Sequence, residues 1–223
     1  MSGPVYERFP SLPCLRRLVD QHGWSVVAPM GIPSYVHPNP LARWFAWRKL
    51  EVAARLIGGG RVGKALDFGC GAGTMLRHLS ALADVVYAYD ADTSVARQVC
   101  ADQGLDRVAF LDGPEALAGI DAGSLGLVVA LEVLEHVEDL GRVSESLARL
   151  LAPSGRLVVS LPTENVFYRL GRRVAGFRGD FHKRGSREAH ERLEERFQVR
   201  RRWRIPCLAP LYEITEYVQR KHD

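Results

Sequence analysis

The chain is poor in the features that mark several large protein classes. Its four cysteines, Cys14, Cys70, Cys100 and Cys207, are far apart and never in C-x-x-C spacing. That argues against a zinc site or a disulfide framework and points to a reducing compartment. No run of about 18 apolar residues is present to cross a bilayer. The N-terminus lacks the basic segment followed by an apolar stretch that marks a secretory signal, so a cytoplasmic location is expected. No G-K-[ST] follows a glycine-rich turn, which removes a P-loop. What remains has ordinary globular composition. With 223 residues, 47% of them hydrophobic and 25% charged, the chain is long enough for one well-filled core, and a single domain over residues 1–223 is expected.

The most informative stretch is residues 65–74, Ala-Leu-Asp-Phe-Gly-Cys-Gly-Ala-Gly-Thr, a short apolar strand running into three alternating glycines. Gly69, Gly71 and Gly73 tolerate positive φ and carry no Cβ, so the chain can turn sharply while its backbone approaches a ligand. Asp90, 23 positions after Asp67, closes a second strand, Val85–Tyr89, where a carboxylate can accept both hydroxyls of a ribose. A dinucleotide fingerprint needs G-x-G-x-x-G, whereas this turn reads G-x-G-x-G and position 74 is Thr. Asp67 would place negative charge beside a pyrophosphate but suits a ligand carrying an ammonium or a sulfonium. Both features count against a nicotinamide oxidoreductase.

At this point the sequence resembles the class I S-adenosylmethionine-dependent methyltransferases, whose first motif is an acidic residue two before a G-x-G turn. The resemblance covers roughly residues 40–220. Later segments agree with it: Val108–Gly113 reads as a third strand, Leu125–Leu131 as a nearly unbroken apolar central strand, then a helix from about Glu138 to Leu151 stopped by Pro153 and Gly155, and Arg156–Leu161 as a fifth strand. The implied fold is α/β, a doubly wound, mostly parallel seven-stranded sheet with helices on both faces. The resemblance implies cofactor contacts at Asp67, Gly69, Cys70, Gly71, Gly73, Asp90, Ala91, Asp112, Gly113 and Leu131. Asp112 is where this family holds the adenine amino group, and Arg43 or Arg48 would meet the methionine carboxylate.

The run Leu131-Glu-Val-Leu-Glu-His-Val-Glu-Asp139 looks most like the ubiquinone-pathway O-methyltransferases and a broad set of small-molecule relatives. In the quinone enzymes the residues matching Glu132, Glu135 and His136 are associated with a divalent ion such as magnesium. The same wording occurs in metal-free relatives, where the histidine braces the following helix, and no metal is expected here. His136 and His182, with Tyr168 behind them, are the candidate bases for a poorly ionised acceptor. The resemblance implies methyl transfer to an oxygen, nitrogen or carbon of a small, lipophilic or natural-product-like acceptor. Two alternatives use the same fold: cyclisation or elimination of the cofactor itself, and a non-catalytic binding protein.

Two segments read as lids. Residues 1–60 form an N-terminal cap: Pro4, Pro10, Pro13, Pro29, Pro33, Pro38 and Pro40 limit helix to Leu12–Gln21 and leave 22–40 irregular. Pro40 then opens a helix that reaches Ile57 and stops at Gly58-Gly59-Gly60. Trp44, Phe45 and Trp47 on that helix would line a substrate pocket or pack as core. The second lid spans residues 162–187, where Val166–Phe177 reads as a basic amphipathic helix suited to peripheral membrane contact and a further helix begins near Ser186. Charge is uneven: residues 1–161 hold 15 Lys/Arg against 17 Asp/Glu, and residues 162–223 hold 15 against 9. The basic third could meet nucleic acid, anionic lipid or an acidic carrier domain, or simply solvate a surface. A nucleic-acid partner is not expected.

Overall fold

The computed structural model describes residues 9–163, 165–166, 168, 185–207 and 209–220. They cluster into two compact units, one reaching to Gly119 and one from Ile120 onward. Among the described residues no helix is long and apolar enough to cross a membrane.

The first unit begins with the proline-rich cap. Helix α1 (Leu12–His22) starts where the Ser11 hydroxyl accepts the Cys14 N–H and ends at Gly23, whose φ is 77°, as capping chemistry requires. Residues 22–40 are more ordered than their prolines suggest, for they hold two short helices, α2 (Trp24–Val27) and α3 (Ile32–Val36). Pro33 is tolerated because it stands in the first turn of α3, where its missing N–H has no intrahelical partner. Helix α4 spans Pro40–Ile57, with the Asn39 side chain accepting the N–H groups of Leu41 and Ala42. Its buried positions Ala46, Leu50, Ala53 and Ile57 recur at helical spacing and form its core face. Trp47 belongs to that packing: its indole N–H donates to the Tyr35 carbonyl at 3.2 Å and its ring meets Tyr35 edge-on. Trp44 stays 52% exposed.

Three parallel strands follow, β1 (Val62–Phe68), β2 (Ala83–Asp90) and β3 (Val108–Asp112), with β1 paired to β2 and β2 to β3. Helices α5 (Leu76–Ser80) and α6 (Ser94–Asp102) lie between them in sequence. The register sets Phe68 beside Tyr89 and Asp90 beside Asp112, so the chemistry-bearing residues gather at the carboxyl ends of these strands, where open α/β sheets bind ligands.

The second unit holds β4 (Leu125–Leu131), α7 (Leu140–Leu150), β5 (Leu151–Pro162), α8 (Ser186–Glu194), β6 (Phe197–Ile205) and β7 (Tyr212–Gln219). Strands β4 and β5 are parallel, and β7 pairs antiparallel with both β5 and β6. Asp139 caps α7 by accepting the Arg142 N–H. Strand β5 is longer than its apolar run. It begins at Leu151, which pairs with Leu125, and the register then shifts before Leu127 meets Arg156. Pro153 and Gly155 therefore lie inside an irregular strand and do not terminate α7. A Cβ on Gly155 would stand 2.7 Å from the Leu125 carbonyl oxygen, so this glycine permits a close backbone approach.

Candidate functional site

Strand β1 is buried over its last four residues and delivers Asp67 and Phe68 to the glycine turn. Gly69, Gly71 and Gly73 all take positive φ, at 77°, 51° and 74°, the region that disfavours residues with a Cβ. The turn is stitched to the end of β2. The N–H groups of Gly69 and Cys70 both donate to the Tyr89 carbonyl, at 2.8 and 2.9 Å. The Gly71 N–H donates to Asp90 Oδ2 at 2.7 Å, and the Ala91 N–H to Asp90 Oδ1 at 2.7 Å. Beneath them the rings of Phe68 and Tyr89 stack with centroids 4.9 Å apart. Asp90, read from the sequence as a ribose acceptor, thus also braces the turn.

The glycines answer to protein neighbours as well. A Cβ on Gly71 would lie 2.8 Å from the Met30 carbonyl oxygen, between α2 and α3. One on Gly73 would meet Leu76 Cδ1 at 2.9 Å and Ala96 of α6 at 3.3 Å. The requirement at Gly71 is therefore the close passage of the cap backbone, a contact that no local motif announces.

Asp67 is 3% exposed. Burial, and next the Asp90 charge, raise its carboxyl to about 7, since low dielectric and a like charge both disfavour ionisation. Burial and the same two carboxylates push the Cys70 thiol far up, which leaves it unreactive at neutral pH. Asp112, at the end of β3, accepts the Thr93 hydroxyl at 2.6 Å and the Arg97 guanidinium at 2.8 Å. These two hydrogen bonds hold its carboxyl below the usual range. Arg97 also lies over the Phe110 ring at 4.6 Å. Gly113 follows at φ 82°, with open space where a Cβ would stand. Thr93, Arg97 and Met30 were not legible as site residues; Thr93 immediately precedes α6 and Arg97 lies on it, a helix of ordinary sequence, and only the strand register brings them to Asp112.

Arg48, expected at the cofactor, donates to Glu51 one turn later at 2.9 Å, and Arg43 donates to the His37 carbonyl at 2.7 Å. In the second unit Leu131 pairs with Ser160 at the end of β4. Glu132 then turns with φ 55°, its N–H donating to the Ser160 carbonyl and its carboxylate accepting the Ser160 hydroxyl at 2.7 Å. Glu135 is buried and His136 exposed. Among the described residues no three His, Cys, Asp or Glu side chains are arranged to hold a metal ion, so Glu132, Glu135 and His136 do not converge as ligands. Tyr168 is buried and meets the Tyr212 ring edge-on at 5.9 Å. His182 and most of the 162–187 lid lie outside the described residues.

A family model described as a methyltransferase domain matches residues 48–207. A ubiquinone biosynthesis O-methyltransferase of Caulobacter sp. (strain K31) is 35% identical over 100 residues, which cover 44% of this chain and 40% of that protein. The chain spans 39 to 50% of the length of the curated relatives it matches. Among solved structures, the PH0226 protein of Pyrococcus horikoshii aligns with TM-score 0.68 at 19% identity, covering 84% of this chain and 96% of that one. The N-methyltransferase NodS of Bradyrhizobium japonicum, in complex with S-adenosyl-L-homocysteine, aligns with TM-score 0.66 at 18% identity, covering 88% and 97%. These likenesses give the fold, a doubly wound, mostly parallel seven-stranded α/β sheet with antiparallel pairing at β7. With the family model spanning well over half of its residues, the chain belongs to the methyltransferase domain family.

Proposed function

We propose that this chain transfers a methyl group from S-adenosylmethionine to an oxygen, nitrogen or carbon of a small acceptor. The observation that carries the reading is the direction of the glycine turn's amides. A pyrophosphate cradle aims its N–H groups at the ligand, whereas here those of Gly69, Cys70 and Gly71 are spent on Tyr89 and Asp90. The groups left to face a ligand are carboxylates, which suit hydroxyls and positive charge.

The donor set fits the proposed cofactor. Each Asp90 oxygen accepts one backbone N–H, and a carboxylate oxygen has room for a second donor, so ribose hydroxyls can be held there. Asp112, kept ionised and oriented by Thr93 and Arg97, can accept the amino group of adenine. Asp67 titrates near neutrality, so it is negative in only part of the molecules near pH 7. The bound cofactor would contribute one thing, a methyl group made electrophilic by its sulfonium. The protein's share is to hold that group in line with the acceptor atom, a contribution of positioning. His136, His182 and Tyr168 remain the proposed bases for an acceptor that must lose a proton. The relatives include an O-methyltransferase and an N-methyltransferase, which supports oxygen or nitrogen as the atom methylated.

Mass spectrometry of metabolite pools incubated with protein and methyl-labelled cofactor tests the reading. A labelled small molecule is expected. A labelled cyclised product formed from the cofactor alone would replace methyl transfer with cofactor consumption, and no labelled product of either kind would sink both.

A further inference from the structure

The second unit carries at the edge of its sheet a strand whose side chains are unlike those of any other. Strand β6 pairs with β7 along one edge, and its other edge pairs with no described strand. Five consecutive residues on it, Arg200-Arg201-Arg202-Trp203-Arg204, are exposed, although β-strands that cover a core ordinarily alternate. Trp203 stands 56% exposed in the middle of this row.

The arginines are held in place from below. Glu216, whose side chain is wholly buried, receives Arg156 at 3.1 Å and Arg200 and Arg201 at 3.4 Å. Glu213 receives Arg202 at 3.1 Å and Arg204 at 2.8 Å. His190 of α8 bridges Glu213, at 3.1 Å, to the Tyr217 hydroxyl, at 2.5 Å. Burial works to raise the Glu213 carboxyl, but the hydrogen bonds from His190 and Arg204 outweigh it and bring the group down to about 2, so Glu213 stays charged at any ordinary pH. Arg204 spends its Nε–H on Glu213, and Arg201 holds its Nε 3.4 Å from Glu216 as an ion pair, which leaves the outer N–H groups of each guanidinium fork for another acceptor. Five arginines face three carboxylates, Glu194, Glu213 and Glu216, and the surface keeps an excess of positive charge.

We propose that the edge of β6 that no described strand covers is a docking strand for an acidic, extended peptide segment. An open edge offers backbone N–H and C=O groups at the spacing of another peptide strand, and alternate side chains set the choice of partner. The fixed guanidiniums select carboxylates, and Trp203 offers an apolar face to a side chain between them. A second copy of this chain is the wrong occupant, because an antiparallel copy would set the arginine row against itself, and like charges directly opposed across a sheet are destabilising. Charge on an edge strand commonly prevents pairing; here it prevents self-pairing and leaves an acidic strand admissible.

The test uses the full chain and a fluorescein-labelled peptide of repeated Glu-Val pairs, followed by fluorescence anisotropy, with a Lys-Val repeat and a single-stranded oligouridylate as comparisons. The Glu-Val peptide is expected to bind, and more weakly as salt rises. The double variant Arg201→Gln/Arg204→Gln should weaken it about tenfold, the loss of two charge-assisted contacts. Trp203→Ser, which leaves every ion pair in place, should weaken it roughly threefold. Circular dichroism checks folding, and if the double variant is unfolded Trp203→Ser carries the test. No binding by the wild-type chain, equal binding by the variants, tighter capture of the oligouridylate, or self-association abolished by Trp203→Ser would each overturn the proposal. None of these outcomes bears on cofactor binding.

Discussion

Two strand ends in this molecule turn through the left-handed region by different means. After β1 the turn uses glycines, whose φ values of 77°, 51° and 74° bring no Cβ strain, and the Asp90 carboxylate holds the Gly71 N–H. After β4 the turn falls on Glu132, the one non-glycine among the described residues with positive φ, and Ser160 grips it through both backbone and side chain. A glycine turn is permitted by its sequence, whereas a glutamate turn is imposed by its neighbours. A non-glycine residue held at such a φ stores strain of order 1 to 3 kcal/mol, and such strain concentrates at functional sites. The comparison therefore singles out Glu132 as the strained turn, with its carboxylate tied to Ser160.

The largest effect is expected from Gly71→Val. The new Cβ would lie 2.8 Å from the Met30 carbonyl, in a backbone conformation at φ 51° that a β-branched residue resists. Overpacking against backbone together with this strain should cost about 3 kcal/mol of stability or more, along with cofactor binding. The Met30 contact ties the fold as well as the ligand to Gly71, so both are expected to be lost. Thermal unfolding measured beside calorimetry decides. Gly113→Ala is the control, because it also has positive φ but meets open space, and it should cost only about 1 kcal/mol. If the two glycines prove equally tolerant, the cap does not press on the turn.

Asp90→Ala comes next. It removes the brace on Gly71 and the proposed partner of the ribose, and should weaken cofactor binding by about 1 to 3 kcal/mol, the usual cost of leaving buried polar groups unpaired. At the other strand end, Ser160→Ala should destabilise by about 1 kcal/mol through the lost bond to Glu132. Glu132→Gly should lose the same bond yet recover strain, and so remain closer to the wild type in a urea titration. A glycine variant no more stable than Glu132→Ala would show that Glu132 carries no backbone strain.

A further effect is a slope with pH. The Asp67 carboxyl rises from 3.8 to about 7 on folding, so between those values the native protein holds a proton that the unfolded chain has released. Stability from this group therefore declines as pH rises from about 4 to about 7 and levels beyond it. Asp67→Asn should flatten that part of the stability profile. An unchanged slope would place the titration elsewhere.

Helix α4 was legible to the residue because its signals are local: Asn39 and Pro40 open it, and Gly58 closes it. Strand β4 was legible because Leu125–Leu131 is an unbroken apolar run. The extension of β5 back to Leu151 was hidden, since Pro153 and Gly155 carry the chemistry of a break and only pairing with Leu125 makes them part of a strand. The glycine turn and Asp90 were found from spacing alone. The contacts around them were not, because Met30 meets the turn, and Thr93 and Arg97 meet Asp112, only through tertiary packing and strand register. For Arg48 the local partner Glu51 stands in the same helix, a pairing that spacing does permit.

The most direct test of the central claim is isothermal titration of the folded chain with S-adenosylmethionine and with its demethylated product. The account predicts that both bind with Kd values on the order of micromolar, and that Asp90→Ala weakens both. A folded wild-type chain that binds neither ligand would contradict it.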